Sequence, residues 1–269
     1  MDKSVLNFNV RLRTIRIRDL IIGVILTIII SAILMVIFPE IANSDDLLFI
    51  TFLSVGLLLF IWALKGTTGL KNDIENIFED KNIKEILYVV IINILFASIV
   101  LFFISSLDYL VTISDPTWIS IWDSESLDLN SNIFIFDAIG TLIFAPIVEE
   151  LVFRGILFNR LKIRTGIIAS MIISSFLFAI GHDFGGITSA FLFGICMCIL
   201  YLKSDNILIP ITAHFINNFI AMILEITSID LYIGQSAFIF PSLLLSILGG
   251  IFLIKYIFDE IRIIRKNNT

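Results

Sequence analysis

Eight apolar runs of roughly membrane-spanning length set the limits on what this chain can fold into. They fall at residues 20–38, 47–64, 86–107, 133–161, 166–181, 187–202, 207–227 and 237–258. A helix needs about 20 predominantly apolar residues to cross a bilayer, and these runs lie at or near that length. Composition agrees: 58% of the 269 residues are hydrophobic and the mean hydropathy is +1.02, whereas soluble domains usually hold about 45 to 50% apolar residues. The expectation is an all-α, polytopic membrane protein with about eight transmembrane helices. No cleavable signal peptide is expected, because the run 20–38 is long enough to span and has no small-residue cleavage site.

The net charge of −6 hides a segregation of sign. Basic residues precede the first run (Lys3, Arg11, Arg13, Arg16, Arg18), separate the second from the third (Lys65, Lys71, Lys81, Lys84), end the fourth (Arg154, Arg160, Lys162, Arg164), follow the sixth (Lys203) and close the chain (Lys255, Arg262, Arg265, Lys266); these are all 18. Eight crossings place every one of them on one side, which the positive-inside rule makes cytoplasmic together with both termini. The alternate loops carry none. The segment 108–132 holds Asp108, Asp115, Asp123, Glu125 and Asp128, with Pro116, Trp118 and Trp122 marking a stretch that hugs the outer interface.

Three regions follow: an N-terminal membrane region over 1–132, a core over 133–227, and a last span with a basic tail over 228–269, together forming one membrane domain. Residues 10–19 alternate basic and apolar types and read either as an anchor lying on the cytoplasmic leaflet or as ordinary flanking charge. Residues 71–85 read as a short surface helix. Gly186, Ala190 and Gly194 recur at a spacing that lets helices approach closely, with Gly249 and Gly250 a weaker instance. Cys196 and Cys198 face different ways on a helix and read as packing residues, not a disulfide.

The fourth run is interrupted by Glu149, Glu150 and Arg154. Ionisable groups at membrane depth cost roughly 2.5 to 3.5 kcal/mol each, so three within six residues need a reason. Glu150 and Arg154 stand at i and i+4 and can pair, whereas Glu149 points about 100° away. One carboxylate is left without a partner. Both histidines of the chain, His182 and His214, lie in or beside later runs, Phe178 sits one turn before His182, and His214 shares a face with Asn218.

For these groups to meet, the fourth helix must run on to Arg164, long and tilted, with Arg154 buried against Glu150. Counted from Arg164, Glu149 then stands about 22 Å up and His182 about 27 Å, whereas His214 and Asn218, counted from Ser204, stand about 15 Å and about 21 Å up, at 1.5 Å per residue. Tilt and a break at Pro210 are expected to absorb the difference. A carboxylate and an imidazole together can orient and deprotonate water, and a second imidazole with an amide can donate to a developing oxyanion. Ser174 and Ser175 are the alternative nucleophiles. Zinc is the one cofactor these residues could take, as a Glu149, His182 and His214 set with an open fourth position, although the helical HExxH spacing is absent.

In order and spacing, EExxxR at Glu149, Glu150 and Arg154, FxxxH at Phe178 and His182, and HxxxN at His214 and Asn218 resemble the motifs of the CPBP family, also called Abi or CAAX proteases, over roughly 133–223. The resemblance implies an intramembrane endopeptidase in which Glu149 and His182 activate water, His214 and Asn218 bind the oxyanion, and Glu150 and Arg154 support them. It leaves zinc open, and implies a multi-pass protein of the cell membrane acting on a peptide or lipid-modified protein, prenylated substrates among them. Membrane lipids are the other expected partners, with no nucleic acid; the oligomeric state is not legible. A non-catalytic membrane regulator or immunity-type scaffold is the rival reading, and a transporter, lacking repeated halves, a weaker one.

Overall fold

The computed structural model describes residues 6–114, 132–182, 186–227 and 239–267. The acidic stretch with Pro116, Trp118 and Trp122 lies outside the described residues. Over its described residues each of the eight apolar runs is mainly helical, and among the described residues there is no strand, only an isolated bridge between Asn7 and Thr68. In chain order the helices are α1 (Phe8–Thr14), α2 (Ile17–Ile37), α3 (Pro39–Ala42), α4 (Asp45–Ala63), α5 (Leu70–Ile77), α6 (Asp80–Ser114), α7 (132–165), α8 (Ile167–Ala179), α9 (Ile187–Ser204), α10 (Leu208–Ile226) and α11 (Ile239–Asn267). Four of them, α2, α4, α9 and α10, are each long and apolar enough to cross a membrane by themselves.

Burial separates the helices into a centre and a rim. Along α9, residues Phe193 through Tyr201 are all buried, whereas α2 leaves Ile21, Ile22, Ile25, Ile28, Ile29 and Ile33 exposed. Such an apolar face is untenable in water and natural against lipid. This is a membrane protein. Around α9 pack α8, α10 and α6, and α6 lies along α11. Gly249 makes that last contact possible: a Cβ there would sit 2.6 Å from the Cβ of Leu95 and 3.0 Å from its backbone. The two cysteines are free and buried in α9.

The N-terminal basic segment is tied into the bundle by specific contacts. Residues 8–14 form α1, whose Leu12 is fully buried and sits on Gly155 of α7. Asn9 donates to Asp73 of α5 (2.9 Å) and accepts from the Ile207 backbone N–H (3.0 Å), satisfying one of the unpaired donors at the start of α10. Arg13 donates to the Tyr201 hydroxyl (3.0 Å) and pairs with Asp205, and Arg160 donates to the Ile15 carbonyl (2.6 Å). These polar partners, absent from any hydropathy profile, turn an amphipathic segment into part of the bundle. The surface helix expected over 71–85 is shorter: α5 ends at Ile77, and Asp80 already begins α6.

The fourth run is one uninterrupted helix, as the convergence argument required, but it is not regular. Segments Gly140–Phe144 and Leu151–Phe158 are π-helical and flank the α-helical Ala145–Glu150. Pro146 explains the first, since its missing N–H and its ring disrupt the usual ladder in a helix interior. In the second, the carbonyls of Arg154 and Gly155 both accept from Asn159 Nδ2, at 2.9 Å each. Pro210, by contrast, causes no break. It is the third residue of α10, in the first turn, where a missing N–H costs nothing.

Candidate active site

The polar residues of α7, α8 and α10 meet against α9. Arg154 and Glu150 are both fully buried, and Arg154 Nη1 donates to Glu150 Oε1 at 2.9 Å. The guanidinium lies over the ring of Phe178, 4.3 Å from its centroid, and Phe153 meets that ring edge-on at 5.4 Å. Cation and aromatic face thus share a dry site, where their attraction is strongest. Gly194 of the small-residue pattern gives the arginine its room: a Cβ there would stand 2.9 Å from Arg154 Nη2 and 2.9 Å from Ser175 Cβ.

Glu150 Oε1 has a second donor, His214 Nδ1, at 3.0 Å. A carboxylate held by an arginine can only accept, so His214 carries its proton on Nδ1. Its other nitrogen, Nε2, faces Glu149 Oε2 at 3.8 Å. The His214 ring is fixed between Phe178 (5.7 Å) and Phe193 (5.6 Å), edge-to-face with both. Phe178 also carries the His182 ring at 4.6 Å, and His182 Nδ1 donates to the Phe178 carbonyl at 3.1 Å. That bond leaves Nε2 of neutral His182 with a free lone pair. α8 is brief, 13 residues or about 20 Å against a hydrocarbon core of about 30 Å, so His182 follows a helix that ends short of a full span.

The two glutamates therefore have different surroundings. Glu150 is sealed and paired, whereas the Glu149 side chain is 27% exposed and within electrostatic reach of His214, His182, Glu150 and Arg154. Asn218 Nδ2 donates to the Thr141 carbonyl in the first π segment at 3.0 Å. Ser174 donates to the Phe153 carbonyl (2.9 Å) and Ser175 contacts Cys198 Sγ (4.0 Å); neither serine is near a histidine by any hydrogen bond. Among the described residues no three His, Cys, Asp or Glu side chains converge as a metal would need, so the residues as arranged do not fit the zinc set.

Residues 131–220, which carry this geometry, match the family model described as type II CAAX prenyl endopeptidase Rce1-like. The similarity is confined to that segment, about a third of the chain. All seven motif residues, Glu149 through Asn218, fall inside the matched segment. A relative from Bacillus subtilis (strain 168), named "Putative membrane peptidase YdiL", is 31% identical over 112 residues, which is 41% of this chain and 44% of that protein. The match thus spans less than half of the relative's length. No solved structure matches the chain.

Several residues of the site were passed over in the sequence. Pro146 stands three residues before Glu149 and was a readable sign that the helix there is irregular. Asn217 and Asn93 are amides within apolar runs, a signal that charge and motif patterns do not register. Phe193 reads only as one more apolar residue of α9.

Proposed function

We propose that this protein is an intramembrane endopeptidase that crosses the cell membrane eight times with both termini in the cytoplasm. The observation that carries the reaction is the division of labour between adjacent glutamates. Glu150 is fully buried and held by Arg154 and His214, while Glu149 is open to a reactant and stands 3.8 Å from His214 Nε2. A structural network alone has no need of the second carboxylate. The peptidase names of the matching family and relative support the same class of chemistry.

In this reading Glu149, with His182 Nε2, takes a proton from water as its oxygen attacks the scissile carbonyl. The carbonyl becomes a tetrahedral oxyanion. Asn218 has a second N–H to offer it, since only one is spent on Thr141. His214 can donate from Nε2 only as an imidazolium, because Nδ1–H is already given to Glu150. Collapse breaks the C–N bond, and Glu149 returns the proton to the leaving amine. The substrate class is a membrane-associated peptide or lipid-modified protein, prenylated ones included, and 133–227 is the catalytic core.

The test uses purified full-length protein in detergent and a panel of prenylated and unprenylated quenched fluorescent peptides, with bound metal measured by elemental analysis. Wild type cleaves without stoichiometric metal, and Glu149→Gln and His182→Ala fold but do not cleave. Full cleavage by Glu149→Gln would overturn the assignment. Stoichiometric zinc lost together with activity in that variant would replace the base by a metal-bound water. A wild type that cleaves no peptide while Glu149→Gln retains full biological activity would favour the regulatory scaffold.

A further inference from the structure

We propose that Asn93 of α6 and Asn217 of α10 are positioning residues that fix the orientation of the Asn218 amide. The catalytic consequence rests on the hydrolytic reading above; the contact itself does not. The argument starts at Pro146. In the first π segment the Ala145 N–H reaches back five residues to the Gly140 carbonyl. In the same register the group that would reach the Thr141 carbonyl belongs to Pro146, which has no N–H. Asn218 Nδ2 takes its place at 3.0 Å.

That bond uses one of the two N–H groups of Asn218 and turns its Oδ1 toward Asn217, whose Nδ2 donates to it at 3.4 Å. Asn217 Oδ1 in turn accepts from Asn93 Nδ2 at 3.0 Å. Three amides therefore form a relay with every donor pointing the same way, from α6 through α10 to α7. Flipping Asn217 alone would set its oxygen against the oxygen of Asn218 and its NH2 against that of Asn93, so the members hold one another in a single sense. A flipped Asn218 would present an oxygen where the oxyanion needs a donor.

Asn93 is 4% exposed and stands about 20 Å along α6 from Asp80, at 1.5 Å per residue. An amide buried at such depth is costly unless it is bonded, and its Oδ1 has no partner among the described residues. Nδ2 to Asn217 is its stabilising bond. Neither residue belongs to the three motifs, and Asn93 lies outside the segment that matches the family. The N-terminal half thereby contributes a side chain to the site.

The experiment is a set of double-mutant cycles on the full-length protein in detergent, read by thermal unfolding and by cleavage of the peptide panel. Asn218→Ala is expected to lower kcat about 100-fold, the loss of one oxyanion donor. Asn217→Ala and Asn93→Ala lower it about tenfold with KM within about twofold, and in the Asn218→Ala background each changes kcat by less than about twofold, because coupled residues are not additive. Losses that multiply independently, or that appear in KM and stability alone, would overturn the proposal. Unfolding is scored regardless of activity: shifts that fall short of additive for Asn93 with Asn217, and for Asn217 with Asn218, support the relay, and additive shifts overturn it. Coupled unfolding in a wild type that cleaves nothing, with Glu149→Gln keeping full biological activity, would sink the hydrolytic reading and leave the relay standing.

Discussion

Replacing Glu150 by glutamine removes one charge and leaves its shape, and the structure makes this the more damaging of two nearly identical substitutions. Glu150 and Arg154 are both 0% exposed, and Arg154 Nε and Nη2 have no oxygen or nitrogen partner among the described residues, so the arginine would keep its charge in a dry site with only the Phe178 ring and the unbonded Glu149 to offset it. Breaking a buried pair on one side costs about 3 to 5 kcal/mol. Glutamine can still accept from Arg154 and His214 through its oxygen, which places the loss at the lower end, about 3 kcal/mol. For a chain of this size that lowers the unfolding midpoint by about 6 to 12 °C. Glu149→Gln should differ sharply. Its side chain is 27% exposed and its neighbour His214 is 3.8 Å away, an interaction in the range of about 0 to 1 kcal/mol, so its midpoint moves by less than about 4 °C while cleavage is lost. Differential scanning fluorimetry of both variants, beside the wild type, checks this. A double replacement, Glu150→Leu with Arg154→Met, removes both charges and should recover most of the lost midpoint. Equal losses for the two glutamates, or a larger one for Glu149→Gln, would refute the division between a structural and a reactive carboxylate.

Gly194→Ala places a methyl group 2.9 Å from Arg154 Nη2 and, as overpacking, should cost about 1 to 3 kcal/mol, read as a lower midpoint and reduced cleavage together. Leu12→Ala empties a fully buried position in α1 and should cost about 2 to 5 kcal/mol; a merely flanking N-terminus would show no change by the same fluorimetry. Asp73→Asn tests a buried acid outside the membrane. Burial, then the charge of Asp205, pushes the Asp73 carboxyl up from its ordinary 3.8, against the hydrogen bond from Asn9. Ionisation therefore costs the folded state more than the unfolded one, and stability is lost as pH rises from 3.8 through the raised value. The asparagine variant, which still accepts from Asn9, should melt higher than wild type at neutral pH, and the advantage should vanish below pH 3.8 in a pH series of melts.

The sequence by itself determined that this is a helical membrane protein, because length and hydrophobicity of a run suffice to make a helix in lipid, where backbone groups must be satisfied within the segment. Local spacing also determined the pairing of Glu150 with Arg154, since i and i+4 are neighbours on any helix, and the isolation of Glu149 from that pair. It could not determine the path of the α7 backbone. Pro146 signals an irregularity, but whether the helix kinks, stops or widens into π turns depends on what fills the freed carbonyl, and Asn218 comes from a helix 72 residues later. The bond from His214 to Glu150, the seating of Leu12 on Gly155 and the amides of Asn93 and Asn217 have the same origin. Each joins residues far apart in the chain, where no periodicity relates them. Hydropathy selects which segments enter the membrane, whereas the few polar side chains, each obliged to find a partner once buried, choose how those segments pack against one another.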